Sequence, residues 1–555
     1  MRRLIVGALL AVSLSAPAAA RDLYLVAGRI FTGDPDRPHA EAVAIRDGRI
    51  AAVGDTATIR AMAVGAPPDA IIDLGGLRVI PGLTEAHGHA APSLPGRTAA
   101  MPRLPWPGPT PEEALTAVTA AAKLGPGWID GEIGPLIVND PRDWRAALDA
   151  AAPDNPVMLR PWWGHGMLLN SAALKALGVS DAVSDPLGGW YGRRADGRLD
   201  GRVRETPEWS LMRRRAQAID PATTAAAYRA TADLYAGWGV TSYHHMMHNQ
   251  TLAEGVRAVE VARPRIKWSI YGWANPQREV GDAWTMFKAA PAGSANVRVA
   301  GIKWVLDATP IERDASMSAP YADRPGWFGR PNYSPPALEA ILRATLAHPQ
   351  QPAFHVSGDA QLQALMDAME RVAPADAWQA RRVRVEHADG LTPALMDQAR
   401  RLGVVVVANP LHLDPMPDAA GTPLMRARLG ERAQTFQPMK SVVAAGIPLA
   451  LGSDAGGPAA NPYLNIMLAI IDPSNPSEAL SREEALIAYS SAGAFAEGQE
   501  ASRGMIRPGM AADMAILSQD ILTAPIEALP GTRSLLTLVD GEPAHAEGRF
   551  ASFRK

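Results

Sequence analysis

Residue types that bind divalent metals occur in this chain directly beside apolar runs that are typical of β-strands. His355, for example, ends the run Pro352-Ala353-Phe354-His355, and the other candidates follow or lie within runs of their own. Neutral imidazoles and carboxylates are good ligands for zinc and other first-row divalent metals. Alternate residues of a strand point the same way, so two ligands can come from one strand end. The candidate metal site comprises His87, His89, Lys303, His355, His387 and Asp454.

Cysteine is absent from the 555 residues. Its absence excludes disulfides, thiolate-ligated zinc, iron–sulfur clusters and cysteine nucleophiles together. Any metal must therefore be held by His, Asp, Glu or a lysine-derived ligand. The expected cofactor is a divalent metal, with zinc as the first expectation.

The charge balance narrows the class of partner. Lys and Arg number 54 against 57 Asp and Glu, which gives a net charge of −3, and no basic run stands out. Such a chain lacks the clustered basic residues that are typical of proteins that bind nucleic acid or an anionic membrane surface. The expected partner is a small-molecule substrate, and homo-oligomerisation is left open. A hydrophobic content of 47% supplies ample material for a large core.

Strand-like and helix-like segments alternate from about residue 81 to 500 and predict a (β/α)₈ barrel. Several of the strand-like runs are continuously apolar, as in parallel strands that are buried on both faces. Active sites of such barrels lie at the carboxyl ends of the strands. The predicted strands are Leu77–Ile80, Val240–Tyr243, Val299–Leu306, Pro352–Val356, Val383–Val385, Val404–Ala408 and Pro448–Gly452.

Both ends of the chain are strand-rich and predict one composite β-sandwich domain. Two strand-like runs flank Asp47-Gly48, and a second Asp-Gly pair stands at Asp540-Gly541. Asp-Gly between such runs is a strong hairpin signal, and a few short strands at either end cannot bury a core alone. The predicted organisation is a signal peptide over 1–20, the composite domain over 21–80 and 505–555, and the barrel over 81–504 with an insertion at about 100–215.

The first twenty residues have the three parts of a secretory signal. A short basic segment with Arg2 and Arg3 precedes an apolar run, and Ala18-Ala19-Ala20 supplies the small residues of a cleavage site. The apolar run is too short to span a bilayer as a stable helix. We therefore expect a periplasmic or secreted protein that is cleaved after Ala20 and has no membrane anchor.

The motifs around these residues resemble the amidohydrolase superfamily, and within it the amidohydrolase-3, YtcJ-like group. The resemblance covers nearly the whole chain after the signal. Its motifs are specific for the superfamily and much less so for a substrate. They are Val79-Ile80-Pro81-Gly82-Leu83-Thr84-Glu85-Ala86-His87-Gly88-His89, Gly164-His165 with Asn170-Ser171-Ala172-Ala173-Leu174, His355-Val356-Ser357-Gly358-Asp359, Glu386-His387-Ala388, Gly452-Ser453-Asp454-Ala455 and the segment 504–513.

The resemblance implies one or two metal ions per chain and a role for each candidate ligand. His87 and His89 would hold a first metal with Asp454 nearby, and His355 and His387 would hold a second. Lys303 would become a carbamate that bridges the two ions. A water between them would lose its proton, and the resulting hydroxide would attack a carbonyl carbon. Asp454 would then carry the proton to the leaving nitrogen.

Substrate contacts are harder to predict than metal ligands. Aromatic residues near the predicted strand ends favour a bulky apolar substrate group, and packing in a large core explains them equally well. The candidate substrate residues are His165, Trp163, Trp304 and Asp307.

The functional hypothesis is an exported metal-dependent amidohydrolase that cleaves an amide or N-acyl C–N bond of a small molecule. The same metal centre could instead open a lactone or a carboxylic ester. A third hypothesis, from a different class, is a non-catalytic binding barrel. It is disfavoured because all six expected chemical positions are occupied.

Overall fold

Eight parallel strands form the central sheet of the protein, whose computed structural model describes residues 22–102, 108–413, 416 and 421–554. Each strand pairs with its neighbour in chain order, and nearly all of their residues are buried. The predicted barrel is therefore confirmed. We name the strands barrel strands 1 to 8 in the order Leu83–Gly88, Val240–Met247, Lys267–Trp273, Val297–Val305, Gln351–Val356, Arg384–His387, Val405–Ala408 and Leu449–Leu451.

Helices surround this barrel and bury the outer faces of its strands. A capping box begins the helix Arg482–Ala488: the Ser481 hydroxyl accepts from the Glu484 N–H, and the Glu484 carboxylate accepts from the Ser481 N–H. No helix in the described ranges is long and apolar enough to cross a membrane. The surrounding helices are Pro221–Ala236, Leu252–Ala262, Met286–Ala289, Pro335–Ala347, Asp359–Val372, Ala375–Arg381, Pro393–Leu402, Leu424–Leu429, Met439–Ala444, Pro462–Ile471, Arg482–Ala488 and Ser491–Ala496.

Two sheets are built from the ends of the chain. The Asp47-Gly48 turn has positive φ at both residues, 49° and 74°, and joins an antiparallel hairpin. The four-stranded sheet has the order Arg49–Gly54, Ala42–Arg46, Leu23–Val26 and Ile71–Asp73, and the helix Thr56–Met62 packs on it. The six-stranded sheet has the order Glu542–Ala546, Ser534–Val539, Met514–Leu517, Arg78–Pro81, Arg29–Phe31 and His39–Ala40.

The first barrel strand differs from the prediction. The run predicted over Leu77–Ile80 forms Arg78–Pro81 and belongs to the six-stranded end sheet, whereas barrel strand 1 begins after Gly82. A Cβ on Gly82 would lie 2.2 Å from the Thr241 hydroxyl of barrel strand 2, so only glycine fits at this crossing. Barrel strand 3 was missed by the prediction, because lysine, serine and glycine interrupt its apolar run.

The insertion forms a sheet of its own rather than a long loop. It carries a second capping box, at Thr110 and Glu113. Its strands in sheet order are Gly189–Arg193, Leu199–Glu205, Met167–Leu169, Val157–Pro161, Ile129–Ile133 and Arg97–Thr98. Its helices are Pro111–Ala122, Pro135–Val138, Trp144–Ala151, Ser171–Ala176 and Thr206–Ala216.

The insertion touches the barrel at its mouth. The Trp209 ring lies 4.7 Å from that of Trp273 at the end of barrel strand 3. The His165 ring lies 4.7 Å from that of His355 in barrel strand 5. The insertion therefore covers part of the face at which the candidate ligands converge.

Candidate metal centre

The first pair of candidate ligands meets at one carboxylate. His87 Nε2 lies 3.6 Å and His89 Nε2 2.9 Å from Asp454 Oδ1. The outer nitrogen of each ring is also engaged: His87 Nδ1 is 2.6 Å from Glu386 Oε2, and His89 Nδ1 is 2.8 Å from the Met246 carbonyl oxygen. Such outer contacts fix the ring orientation and leave the opposite nitrogen for a metal. His87, His89 and Asp454 form one group that could hold an ion.

A second group shares the same carboxylate. The donor atoms of His387, His412 and Asp454 lie within 4.8 Å of one another. His412 Nε2 is 3.6 Å from Asp454 Oδ2, so this carboxylate has one oxygen toward each group. His387 Nδ1 contacts Asn409 Oδ1 at 2.8 Å.

His355 completes the cluster of imidazoles. Its ring lies 4.3 Å from that of His387. Its Nε2 is buried and has no hydrogen-bond partner among the described residues. An orphaned buried nitrogen is costly unless something binds it. A divalent ion next to the His387 ring would satisfy this atom, so the donor set fits a metal.

Lys303 enters the centre from barrel strand 4 and is fully buried. Its Nζ lies 3.3 Å from His87 Nε2, the nitrogen that faces the first group. Burial lowers the pKa of Lys303 to about 8, although Glu386 and Asp454 act in the opposite direction. A lower pKa increases the fraction of neutral amine, which is the form that can add CO₂ to give a carbamate.

The electrostatics favour the protonation states that a metal requires. Burial, reinforced by Lys303, lowers the pKa of His87 to about 4. Burial also holds the pKa of His355 and His387 well below the usual value. Burial alone would raise the pKa of Asp454, but His87, His412 and His89 outweigh it and hold that pKa well below its usual range. Burial therefore favours the neutral, metal-binding form of His87, His355 and His387 beside an ionised Asp454.

His165 from the insertion stands at the edge of the centre. It has a positive φ of 62°, and its Nδ1 lies 3.0 Å from Glu205 Oε1. Burial lowers the pKa of His165, but Glu205 more than offsets this and raises it to about 9. Trp163 donates its indole N–H to Glu312 Oε2 over 2.8 Å. Side-chain atoms of His165, Glu205 and Glu312 lie within 4.8 Å of one another. His165 and Trp163, the two candidate substrate residues of the insertion, therefore belong to one polar cluster beside His355.

Two candidate substrate residues are not brought to the site, and these expectations are corrected. Trp304 is next to Lys303 on barrel strand 4, so its indole points to the opposite side of the strand, away from the metal centre. There it is fully buried against Trp284 and Tyr333. Asp307 is also fully buried. Its oxygens accept three backbone N–H groups, from Ser316, Ser357 and Gly358, and this anchors the loop after barrel strand 4.

Sequence reasoning missed three residues of the centre. His412 and Asn409 follow barrel strand 7, so the rule that strand ends carry function would have found them. Glu386 stands beside a predicted ligand, but its contact to His87 joins barrel strands 6 and 1 and left no local sequence signal.

The model of the Amidohydrolase family matches residues 70–545. The chain belongs to the amidohydrolase family. An imidazolonepropionase-like composite domain of bacteria matches residues 42–63, within the four-stranded end sheet.

Relatives of this amidohydrolase align over most of its length. It is 26% identical over 517 residues to the putative amidohydrolase YtcJ of Bacillus subtilis (strain 168), covering 89% of this chain and 93% of the relative. It is 25% identical over 550 residues to the N-substituted formamide deformylase of Arthrobacter pascens, covering 94% and 98%. The crystal structure of an uncharacterized metal-dependent hydrolase from Pyrococcus horikoshii OT3 superposes with a TM-score of 0.67 at 18% identity, covering 91% and 99%.

The family and the geometry agree on a metal-dependent hydrolase. The converging imidazoles and the shared carboxylate supply a donor set for a divalent metal. The candidate metal centre of this amidohydrolase lies at the carboxyl ends of the barrel strands.

Proposed function

We propose that this amidohydrolase cleaves an amide or N-acyl C–N bond of a small molecule. The observation that carries the proposal is the position of Asp454, which has one oxygen toward His89 and the other toward His412. A carboxylate between two groups of metal ligands is placed to exchange protons with whatever reacts there. The relative described as an N-substituted formamide deformylase supports an amide-type substrate.

The residues have distinct roles in this reaction. His87, His89 and Asp454 would hold one ion, and His355 and His387 a second, with Lys303 beside both. A bound divalent metal, for which we propose zinc, supplies Lewis acidity that polarises a carbonyl and lowers the pKa of water. Asp454 accepts a proton from the attacking water and delivers it to the leaving nitrogen. The C–O bond forms, the C–N bond breaks, and a carboxylic acid and an amine leave.

The pocket features support a substrate with an apolar portion. Trp273 and Trp209 pack together between the barrel and the insertion, and the His89 ring lies 5.6 Å from that of Trp273. An aromatic wall beside a metal ligand suits an apolar acyl or amine substituent. His165 and Trp163 border the same side and are proposed as substrate contacts.

Matched substrate pairs test the bond type. Purified enzyme loaded with zinc is assayed on N-formyl and N-acyl amines and on esters with the same acyl groups. Amine release with kcat/KM well above that for the matched ester is expected. Faster cleavage of the esters or lactones would instead support the alternative hydrolase. No turnover of any class by zinc-loaded protein would favour a binding barrel.

Export is a separate proposal, because its residues lie outside the described ranges. The segment 1–20 has the composition of a signal peptide that is cleaved after Ala20. Fractionation and N-terminal sequencing test it, and a mature chain that begins at Met1 in the cytoplasm would refute it.

A further inference from the structure

We propose that Glu386, held by Arg384, is a positioning residue that makes the His87–His89–Asp454 group bind metal more tightly than the second ion site, at His355 and His387. The inference concerns metal occupancy and does not depend on which bond the enzyme cleaves. It predicts an order of filling for the two groups.

The contact between Glu386 and His87 is enclosed on every side. Their side chains are 0% and 1% exposed, and Glu386 Oε2 lies 2.6 Å from His87 Nδ1. A carboxylate at this nitrogen fixes the tautomer in which Nδ1 carries the hydrogen. His87 Nε2, which faces Asp454, is then always available as a lone-pair donor to a metal.

Arg384 holds the carboxylate in place with two parallel hydrogen bonds. Its Nε donates to Glu386 Oε1 over 2.8 Å, and its Nη2 donates to Oε2 over 3.0 Å. The same Nη2 donates to the Ala86 carbonyl oxygen over 2.7 Å, one residue before His87. The planar guanidinium of Arg384 therefore holds the Glu386 carboxylate and the strand that carries His87 in a fixed position relative to each other.

A buried ion pair is weak evidence for a stabilising role. The loss of hydration of two buried charges offsets much of their attraction, so an apolar pair would serve stability as well. Arg384 and Glu386 are both fully buried in the barrel interior. The contact of Glu386 to His87 gives this ion pair a role that apolar side chains could not perform.

His387, a proposed ligand of the second ion, has a weaker outer contact than His87. His387 Nδ1 is paired with Asn409 Oδ1, a neutral amide oxygen, at 2.8 Å, and the Asp454 carboxylate oxygen nearest to this nitrogen lies farther away, at 3.9 Å. The Asn409 amide nitrogen donates to the Gly452 carbonyl oxygen over 3.1 Å, which fixes the orientation of the amide but adds no charge. Hydrogen bonds to charged partners are about twice as strong as neutral ones. A carboxylate also makes the imidazole more basic than an amide does.

Metal titration of the metal-free protein tests the order of filling. Cobalt(II) is added while its d–d absorption is followed, and zinc affinities are measured by competition with a chromophoric chelator. Wild-type protein is expected to bind two ions with dissociation constants at least about 10-fold apart. Glu386→Gln is expected to weaken the tighter event about 10- to 100-fold, which is typical of losing such an outer contact.

Two control variants separate positioning from general damage. Asn409→Ala is expected to weaken only the looser event. Asp513→Asn removes a different buried carboxylate, which pairs with Lys267 at 2.7 Å, and is expected to leave both dissociation constants unchanged. If Glu386→Gln does not fold, Arg384→Lys carries the same expectation, because lysine keeps the charge but lacks the fork.

The proposal has clear contrary outcomes. Two equal dissociation constants in wild-type protein would overturn it. A folded Glu386→Gln protein whose tighter dissociation constant stays within twofold of wild type would overturn it as well. Because no substrate is present, these results are independent of the proposed amide hydrolysis.

Discussion

The backbone N–H of Asp454 donates to the carbonyl oxygen of His87 over 2.9 Å. This bond joins the segment after barrel strand 8 to barrel strand 1 at the metal centre. A second backbone group joins the same two segments: the Ser453 N–H donates to the Glu85 side-chain oxygen Oε1 over 2.7 Å. The proposed proton carrier is therefore held against a metal ligand by the closure of the barrel itself.

Gly452→Ala is expected to disturb that closure. A Cβ at Gly452 would lie 2.4 Å from the His87 amide nitrogen, where real Cβ atoms are not found. Overpacking of this kind costs about 1–3 kcal/mol, and here it displaces a ligand as well. Urea unfolding and zinc affinity measure both effects. Gly281→Ala is the control, because nothing lies within 4 Å of its added Cβ. Equal behaviour of the two variants would contradict the closure argument.

Asp454→Asn is expected to lower kcat by about 10²- to 10⁴-fold, because an amide cannot accept and return the proton. Steady-state kinetics with the preferred substrate, at saturating zinc, measures the loss. Asp520→Asn, in which the carboxylate pairs with Arg78 beside the end sheet, should keep wild-type kcat. An Asp454→Asn enzyme with full activity would refute the proton-transfer role.

Metal removal is expected to abolish activity and to lower the melting temperature. An ion bound only by the folded state stabilises it by about 2.7 kcal/mol when the free metal is 100 times its dissociation constant. Dialysis against a chelator, followed by thermal unfolding with and without added zinc, measures this. A metal-free protein that keeps both its melting temperature and its activity would contradict metal dependence.

Lys303→Ala is expected to lose the second ion and most of the activity. If a lysine carbamate supplies the bridging ligand, formate or acetate can enter the space left by the side chain and restore part of both. The measurement is metal content and rate as a function of added carboxylate. A Lys303→Ala enzyme that is fully active without any addition would exclude the carbamate role.

Asp472→Asn is expected to change how stability depends on pH. Burial raises the pKa of Asp472 from 3.8 to about 6, and its Oδ2 has no partner among the described residues. The folded state therefore binds this proton more tightly than the unfolded state. The resulting stability is complete below about pH 4 and is lost as the pH rises through about 6.

Asparagine keeps the acceptor that Ser474 and Asn475 use and removes the buried charge. The variant should match wild type near pH 4 and exceed its free energy of unfolding by on the order of 2 kcal/mol above pH 7. Urea unfolding of metal-free protein across this range measures the difference. A difference that does not vary with pH would contradict the assignment.

The sequence by itself determined the barrel and the composite end domain, and it supplied the candidate metal ligands. Local signals were sufficient for these: continuously apolar runs, the Asp47-Gly48 turn, the capping boxes, and His or Asp residues at the ends of strand-like runs. Each depends on residues that are close in the chain, so the periodicity and turn chemistry that define them are visible in one dimension.

Only the tertiary structure decided which side chains share a site. It assigned Arg78–Pro81 to the end sheet rather than the barrel, and it turned Trp304 outward while Lys303 faced the centre. It also brought His412 to Asp454 and Glu386 to His87. These outcomes depend on the register between strands distant in sequence and on the face that each strand turns inward. A shift of one residue would reverse that face, and no local pattern fixes it.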